Sequence, residues 1–202
     1  MKTFGTAIIL AGGKSTRMGF DKQLIRFQER MLVETLILKL REEFEEIVIV
    51  TNKPEYYIGL ADIITGDVIK GKGPLSGIHA GLMMASSEYS YLVACDMPSI
   101  DMDYVRYMKT RLTAGGHMAC VTMLGEWIEP FNAFYGKALV KHIEGFLASG
   151  GRAIHRMLDE HHVDYVPEKE ARKFSPEWNM FFNLNTREDV QEYLQRNEGN
   201  GA

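Results

Sequence analysis

A chain of 202 residues suits one domain, and folding would bury about 70% of the surface its extended form exposes. With 46% hydrophobic and 25% charged residues it has the balance of an ordinary globular protein, and a net charge of −4 speaks against a general nucleic-acid binder. Two cysteines, Cys95 and Cys120, exclude a disulfide framework or a zinc knuckle, and no apolar run approaches the ~18 residues of a membrane span.

In chain order, the first element is a strand over residues 4–10, closing on the run Ala7-Ile8-Ile9-Leu10. That run is too short for the core of a secretion signal and leads straight into a glycine loop, so cytoplasmic residence is expected. Residues 31–44 place Leu32, Val33, Leu36, Leu40 and Phe44 on one helical stripe. Residues 47–51 read as a strand broken by Asn52-Lys53-Pro54, and residues 61–65 as a short strand. A helix is predicted over 74–86, with Pro74 in its first turn. A buried strand over 89–95 follows, ending at Asp96-Met97-Pro98, and then a helix over 101–112.

In the second half, strands over 117–124 and 129–135 pair across Gly125-Glu126. Helices over 137–148 and 153–160 are split by Gly150-Gly151. A short strand over 162–167 and a closing helix over 187–196 complete the set, and residues 197–202 form a polar tail expected to be disordered. Strands alternating with helices imply parallel βαβ units. Without a repeat or a linker, the expectation is one three-layer α/β/α domain over residues 1–196, with a mostly parallel sheet.

Chemistry is expected at the carboxyl ends of such strands. Residues 10–22, LAGGKSTRMGFDK, supply a strand end, adjacent glycines and two cations. Gly12 and Gly13 let backbone N–H groups approach an anion closely, and Arg17 and Lys22 add positive charge. Together they describe a polyphosphate site, although neither common phosphate-loop fingerprint is present. Gly66 to Lys72 imitates a P-loop until Gly73 replaces the metal-binding hydroxyl, and Gly71 to Gly77 is one residue too long for a dinucleotide motif. Asp96, at the end of a buried strand, is the candidate Mg²⁺ ligand, because that ion takes one or two carboxylates plus phosphate oxygens. Ser99 and Asp101 can cap the following helix, which leaves Asp96 for the metal. His155, His161 and His162 lack the spacing of a metal site, Cys95 reads as a small buried thiol, and Met83, Met84 and Met108 as core fillers.

The pattern L-A-G-G-x-S-x-R-M-G-x-D-K resembles that of nucleotidyltransferases, and within them of the molybdenum cofactor guanylyltransferases. The resemblance implies a Rossmann-like nucleotidyltransferase fold and catalytic roles for Arg17, Lys22 and Asp96. It implies nucleotide binding by Leu10, Gly12, Gly13, Asn52, Asp67 and the segment Gly73-Pro74-Leu75-Ser76-Gly77, which opens a helix over the base. For Gly77 and Gly81 close helix packing is the plainer reading, and for Asn52 a strand-ending turn. Glu129-Pro130-Phe131, Asn183 and Asn185, and Arg156 resemble acceptor-side elements. Asn132 departs from the family, being polar where the pattern is apolar, and turn formation or a solvated helix face are plainer readings of the asparagines and of Arg156.

The implied reaction moves GMP from Mg-GTP to the terminal phosphate of molybdenum-bound molybdopterin, releasing pyrophosphate. Transient docking with molybdoenzymes or pterin-handling proteins is expected, whereas the net charge and the lack of a long apolar run speak against nucleic acid and membrane as partners. CTP, or a sugar-phosphate acceptor, is the near alternative; adjacent Gly12 and Gly13 favour the guanylyl side, where cytidylyl relatives tend to carry Ala-Gly. A non-catalytic nucleotide-binding protein is the distant one, disfavoured because Lys22 and Asp96 are both present.

Overall fold

The computed structural model describes residues 1–12, 26–27 and 30–198. Strand β1 (Thr6–Leu10) is buried along its whole length and forms the middle of a sheet. A small antiparallel pair, β2 (Arg26–Phe27) and β3 (Arg30–Met31), leads into helix α1 (Leu32–Leu40). Then come β4 (Glu46–Val50), β5 (Ile63–Thr65), α2 (Pro74–Met84), β6 (Tyr89–Ala94) and α3 (Met102–Gly115). The chain continues through β7 (Ala119–Leu124), β8 (Trp127–Gly136), α4 (Leu139–Ala148), α5 (Ile154–Asp159), β9 (Val163–Val166), α6 (Glu168–Ala171) and α7 (Arg187–Glu198).

Among the described residues the main sheet has seven strands in the order β5-β4-β1-β6-β8-β7-β9. β8 runs against the others and the remaining pairings are parallel. Ile8 stands opposite Val48 on one side and Leu92 on the other, so these three share a face, while Ala7, Ile47 and Tyr91 share the opposite one. α2 covers the first face: a Cβ on Gly81 would lie 2.5 Å from Ile8 Cγ2, so only glycine lets the helix come this close. The second face carries the stacked rings of Phe44 and Tyr91, 5.6 Å apart. Over them α1 and α3 are tied by Glu43, which accepts from Arg106 at 3.0 Å and from Lys109 at 2.9 Å. α4 joins α2 through His79 Nε2 and Glu144 Oε1 at 2.9 Å. The result is the expected three-layer α/β/α fold. Each fully buried aliphatic side chain of β1, β4 and β6 contributes about 1.5–3 kcal/mol.

The structure departs from expectation where elements are short or irregular. The β2–β3 pair, α6 and the 3₁₀ turns Pro54–Tyr56 and Asn179–Phe181 are too brief to show a period. α2 ends at Met84, and Met83 and Met84 are exposed rather than core, whereas Met108 is fully buried as expected. β6 ends at Ala94, which leaves Cys95 half-buried. α7 continues to Glu198, two residues into the expected tail. In β8, Glu129 pairs with Thr122 but Phe134 pairs with Cys120, so β8 bulges between them. Pro130, which has no N–H for the ladder, sits in that bulge. Asn132 lies there too, buried with φ +52°, accepting from Tyr91 Oη at 3.1 Å and donating to the Met180 carbonyl. Its polarity is therefore fully used inside the fold.

Candidate active site

Three backbone hydrogen bonds align the strand ends. Ala11 N–H donates to Val50 O at 2.9 Å, Thr51 N–H to Thr65 O at 2.8 Å, and Cys95 N–H to Leu10 O at 3.0 Å. The loops after β1, β4, β5 and β6 thus leave the sheet side by side. β1 is also where the strand order reverses, since the chain goes to β4 and β5 on one side and returns to β6 on the other. A crevice for a ligand is expected at such a switch point.

On the β4 side, α2 starts at this edge. Gly73 precedes it at φ +76°, a conformation that favours glycine, and Pro74 fills the first helical position. Gly73 and Pro74 are exposed, while Leu75 is buried and anchors the turn. A Cβ on Gly77 would lie 3.2 Å from Leu10 Cδ2 and 3.7 Å from Asp67 Oδ1, so the helix start meets both. A Cβ on Gly66 would lie 3.2 Å from Thr51 O and 3.9 Å from Asn52 Oδ1. The strand ends and the start of α2 therefore pack together here, with Leu10 and Gly77 buried, Asp67 half-buried and Asn52 exposed. The turn after β4 is made by Thr51 Oγ1, which accepts from Lys53 N–H at 3.1 Å, and Asn52 is exposed. Burial raises the Asp67 carboxyl above its ordinary pKa.

On the other side of β1, Asp96 follows β6. Asp101 caps α3, accepting from Tyr104 N–H at 2.8 Å, so Asp96 does not serve that helix. The Asp96 carbonyl accepts from Leu184 N–H at 2.9 Å. Leu184 is buried between half-buried Asn183 and exposed Asn185, so both amides stay near the surface beside Asp96. Thr186 and Asp189 make the cap of α7, with Thr186 Oγ1 accepting from Asp189 N–H at 3.0 Å and Asp189 Oδ2 accepting from Thr186 N–H at 2.7 Å. Capping therefore does not use the side chains of Asn183 and Asn185. Further along, Glu129 and Pro130 enter the same edge where β8 begins.

The family description "MobA-like NTP transferase domain" matches residues 7–165. The chain belongs to the MobA-like NTP transferase family. It is 53% identical over 199 residues to a probable molybdenum cofactor guanylyltransferase of Peptoclostridium acidaminophilum, covering 96% of this chain and 90% of that one. It is 48% identical to a molybdenum cofactor guanylyltransferase of Syntrophotalea carbinolica, over 98% and 94% of the two chains. A crystal structure of molybdopterin-guanine dinucleotide biosynthesis protein A from Archaeoglobus fulgidus superposes with a TM-score of 0.81 at 27% identity, over 96% and 99% of the chains. As a MobA-like NTP transferase the protein is an enzyme.

Of the residues expected in this MobA-like site, Gly13, Arg17 and Lys22 lie outside the described residues. Leu10, Gly12, Asn52, Asp67, Gly73, Pro74, Leu75, Gly77, Asp96, Asn183 and Asn185 gather along the edge. Arg156 is exposed on α5, which packs on α4 and β8, and no hydrogen bond or ion pair joins it to the others among the described residues. Sequence reading missed Trp178, a non-glycine residue at φ +62°, whose indole stands at Glu129. Burial raises the Glu129 carboxyl above its ordinary pKa. The two are 49 positions apart, and only the return of the chain after α6 joins them. The donor set suits a hard divalent cation: Asp96 and Asp67 flank Leu10, and a half-buried carboxyl such as Asp67 gains from a nearby positive charge. Among the described residues no group of three or more His, Cys, Asp or Glu is placed to hold a metal ion. Among them too, no helix is long and apolar enough to cross a membrane.

Proposed function

We propose that this protein transfers GMP from GTP to the terminal phosphate of molybdopterin, releasing pyrophosphate and forming the guanine dinucleotide of the cofactor. The observation that carries this is the position of Asp96 between two groups of residues. Through Cys95 it adjoins Leu10 and the nucleotide elements, and through its own carbonyl it adjoins Asn183-Leu184-Asn185. The names of the relatives supply the guanine and the pterin.

An acceptor phosphate oxygen attacks the α-phosphorus in line. A new P–O bond forms as the bond to the β-phosphate breaks, and the electron pair leaves with pyrophosphate. The acceptor is already ionised at neutral pH, so no side chain need remove a proton. The chain's task is to orient and to stabilise charge. The backbone at Gly12 and Gly13 holds phosphate oxygens, and Arg17 and Lys22 neutralise the charge that builds on the leaving group. Leu75 and Gly77 hold the α2 start against Leu10, where the base rests. Asp96, with Asp67 beside the nucleotide, would hold Mg²⁺, which when bound neutralises phosphate charge. Asn183 and Asn185 orient the acceptor with their amide donors and acceptors.

Transfer is tested with molybdopterin and each of GTP and CTP, following pyrophosphate release. GTP supports turnover and CTP does not. In Asp96→Asn, half-maximal rate requires at least about tenfold more Mg²⁺ than wild type, equivalent to roughly 1.4 kcal/mol of lost metal binding. An unchanged magnesium titration removes Asp96 from this role, and preferential use of CTP moves the chemistry to cytidylyl transfer.

A further inference from the structure

Trp127 is one of two tryptophans in the chain and is 78% exposed. It stands opposite Leu124 across a two-residue turn whose Gly125 has φ +60°, the backbone that a tight hairpin with glycine first requires. β8 runs against its neighbours, so its first residue lies at the edge where β6 and β7 end. The hairpin therefore carries Trp127 to the same edge as Asp96.

Its face is fixed by the register. The Thr122 hydroxyl meets Tyr104 Oη of α3, Glu129 stands opposite Thr122, and Trp127 stands opposite Leu124. Residues two apart on a strand share a face, about 7 Å from one another. Trp127 and Glu129 thus both rise on the α3 side of the edge. The nucleotide elements, α2 and the loops after β4 and β5, lie beyond β1, which leaves the β6–β8–β7 end for the other substrate.

We infer that Trp127 is the stacking platform for the pterin ring of the acceptor, with Glu129 accepting N–H groups from the aminopyrimidinone edge of that ring. The inference rests on the guanylyl-transfer reading above. An exposed indole offers a flat apolar plate to a flat heterocycle, and stacking of this kind is sequence-independent and strong. The pyrimidine edge of a pterin presents two adjacent N–H donors, a pattern that one carboxylate accepts with both oxygens. Glu129 is half-buried, with the Trp178 indole beside it. The strand spacing lets one ring lie on the indole and turn an edge toward the carboxylate.

The test uses the full chain and the variants Trp127→Ala and Trp127→Phe, at an exposed position where folding is not at stake. KM is measured for molybdopterin and for Mg-GTP, and quenching of indole emission by molybdopterin is followed without nucleotide. Trp127→Ala raises the molybdopterin KM about tenfold and leaves the GTP KM within about twofold, and Trp127→Phe restores most of the loss. Quenching is large in wild type and reduced in Trp127→Phe, where the remaining indole, Trp178 beside Glu129, keeps a part of it. Wild-type transfer with a molybdopterin KM unchanged in Trp127→Ala, or with quenching undiminished in Trp127→Phe, overturns the stacking role alone. A wild-type protein that neither binds molybdopterin nor transfers GMP overturns the guanylyl-transfer reading, and this inference with it.

Discussion

Asp67 displays the tension between stability and ligand binding at a single residue. Its carboxyl is half-buried against Gly77 and Leu10, and burial raises its pKa above the ordinary 3.8. A raised carboxylate pKa means that the folded state disfavours the ionised form. At neutral pH the charge therefore lowers stability, and this penalty fades as pH falls through the carboxylate range. Asp67→Asn removes the charge and keeps the shape. Without ligands, the variant melts about 1–2 °C above wild type at pH 8, and the two converge as the pH is lowered toward 4. The same variant binds Mg-GTP more weakly. Thermal melts from pH 8 to pH 4 check the first part, and a variant less stable than wild type at pH 8 would contradict it. Asn52 and Asn185 carry no such tension, being exposed amides whose neighbouring turns are made by Thr51, Thr186 and Asp189.

Among elements, the join of α3 to β9 depends on one ion pair. Arg111 donates to Asp164 through Nε at 2.6 Å and Nη2 at 2.5 Å, and through Nη1 to Tyr107 Oη at 3.0 Å. Cys120 Sγ adds a weak donor to Asp164 at 3.6 Å. Burial pushes the Asp164 carboxyl up, but the hydrogen bonds and charge of Arg111 outweigh it and hold the pKa below 3.8. A depressed pKa contributes stability that is present above the unfolded value and lost as pH falls through the folded one. Asp164→Asn leaves a guanidinium partly buried without its counter-charge. Discounted for the 29% exposure of the Arg111 side chain, the cost is about 2–3 kcal/mol at pH 7, or roughly 5–10 °C in Tm, and it narrows below pH 4. A loss under about 0.5 kcal/mol would show that the pair is not holding these elements. None of this was legible in the sequence, because Arg111 and Asp164 are 53 positions apart and charges at such spacing look solvated. The strands were legible for the opposite reason. Residues 47–50 are buried on both faces and read as an unbroken apolar run, whatever lies beside them. The bulge in β8 falls between these cases. Pro130 signals a broken ladder, but Asn132 is explained only by Tyr91 and Met180, which the fold brings to it.

For the whole molecule, the division of the core bears on how the site works. One large cluster runs through both faces of the sheet, from Ala7 to Phe181, whereas Leu32 and Leu184 form a small cluster of their own with Val190 and Tyr193 against it. The segment bearing Asn183 and Asn185 and the helix α7 thus rest on few buried side chains and on the hydrogen bond from Leu184 to Asp96. A region with so little burial opens locally long before the domain unfolds. The nucleotide side, by contrast, is built on β1, β4 and β6 in the middle of the sheet, and glycine packing locks α2 onto them. One side of the site is therefore rigid, and the other closes at a cost small enough for a substrate to supply. Native-state hydrogen exchange measures this difference. Amides of α7 exchange through openings at least about 2 kcal/mol below those of β1 and β6 in the free protein. Molybdopterin slows α7 and the Leu184 amide, because a ligand held by Asn183 and Asn185 binds only the closed form. GTP alone slows the amides at the start of α2 and leaves α7 nearly unchanged. If α7 exchanged only with global unfolding, the small cluster would be part of the main core in energy as well as in function. Acceptor binding would then have no local order left to create.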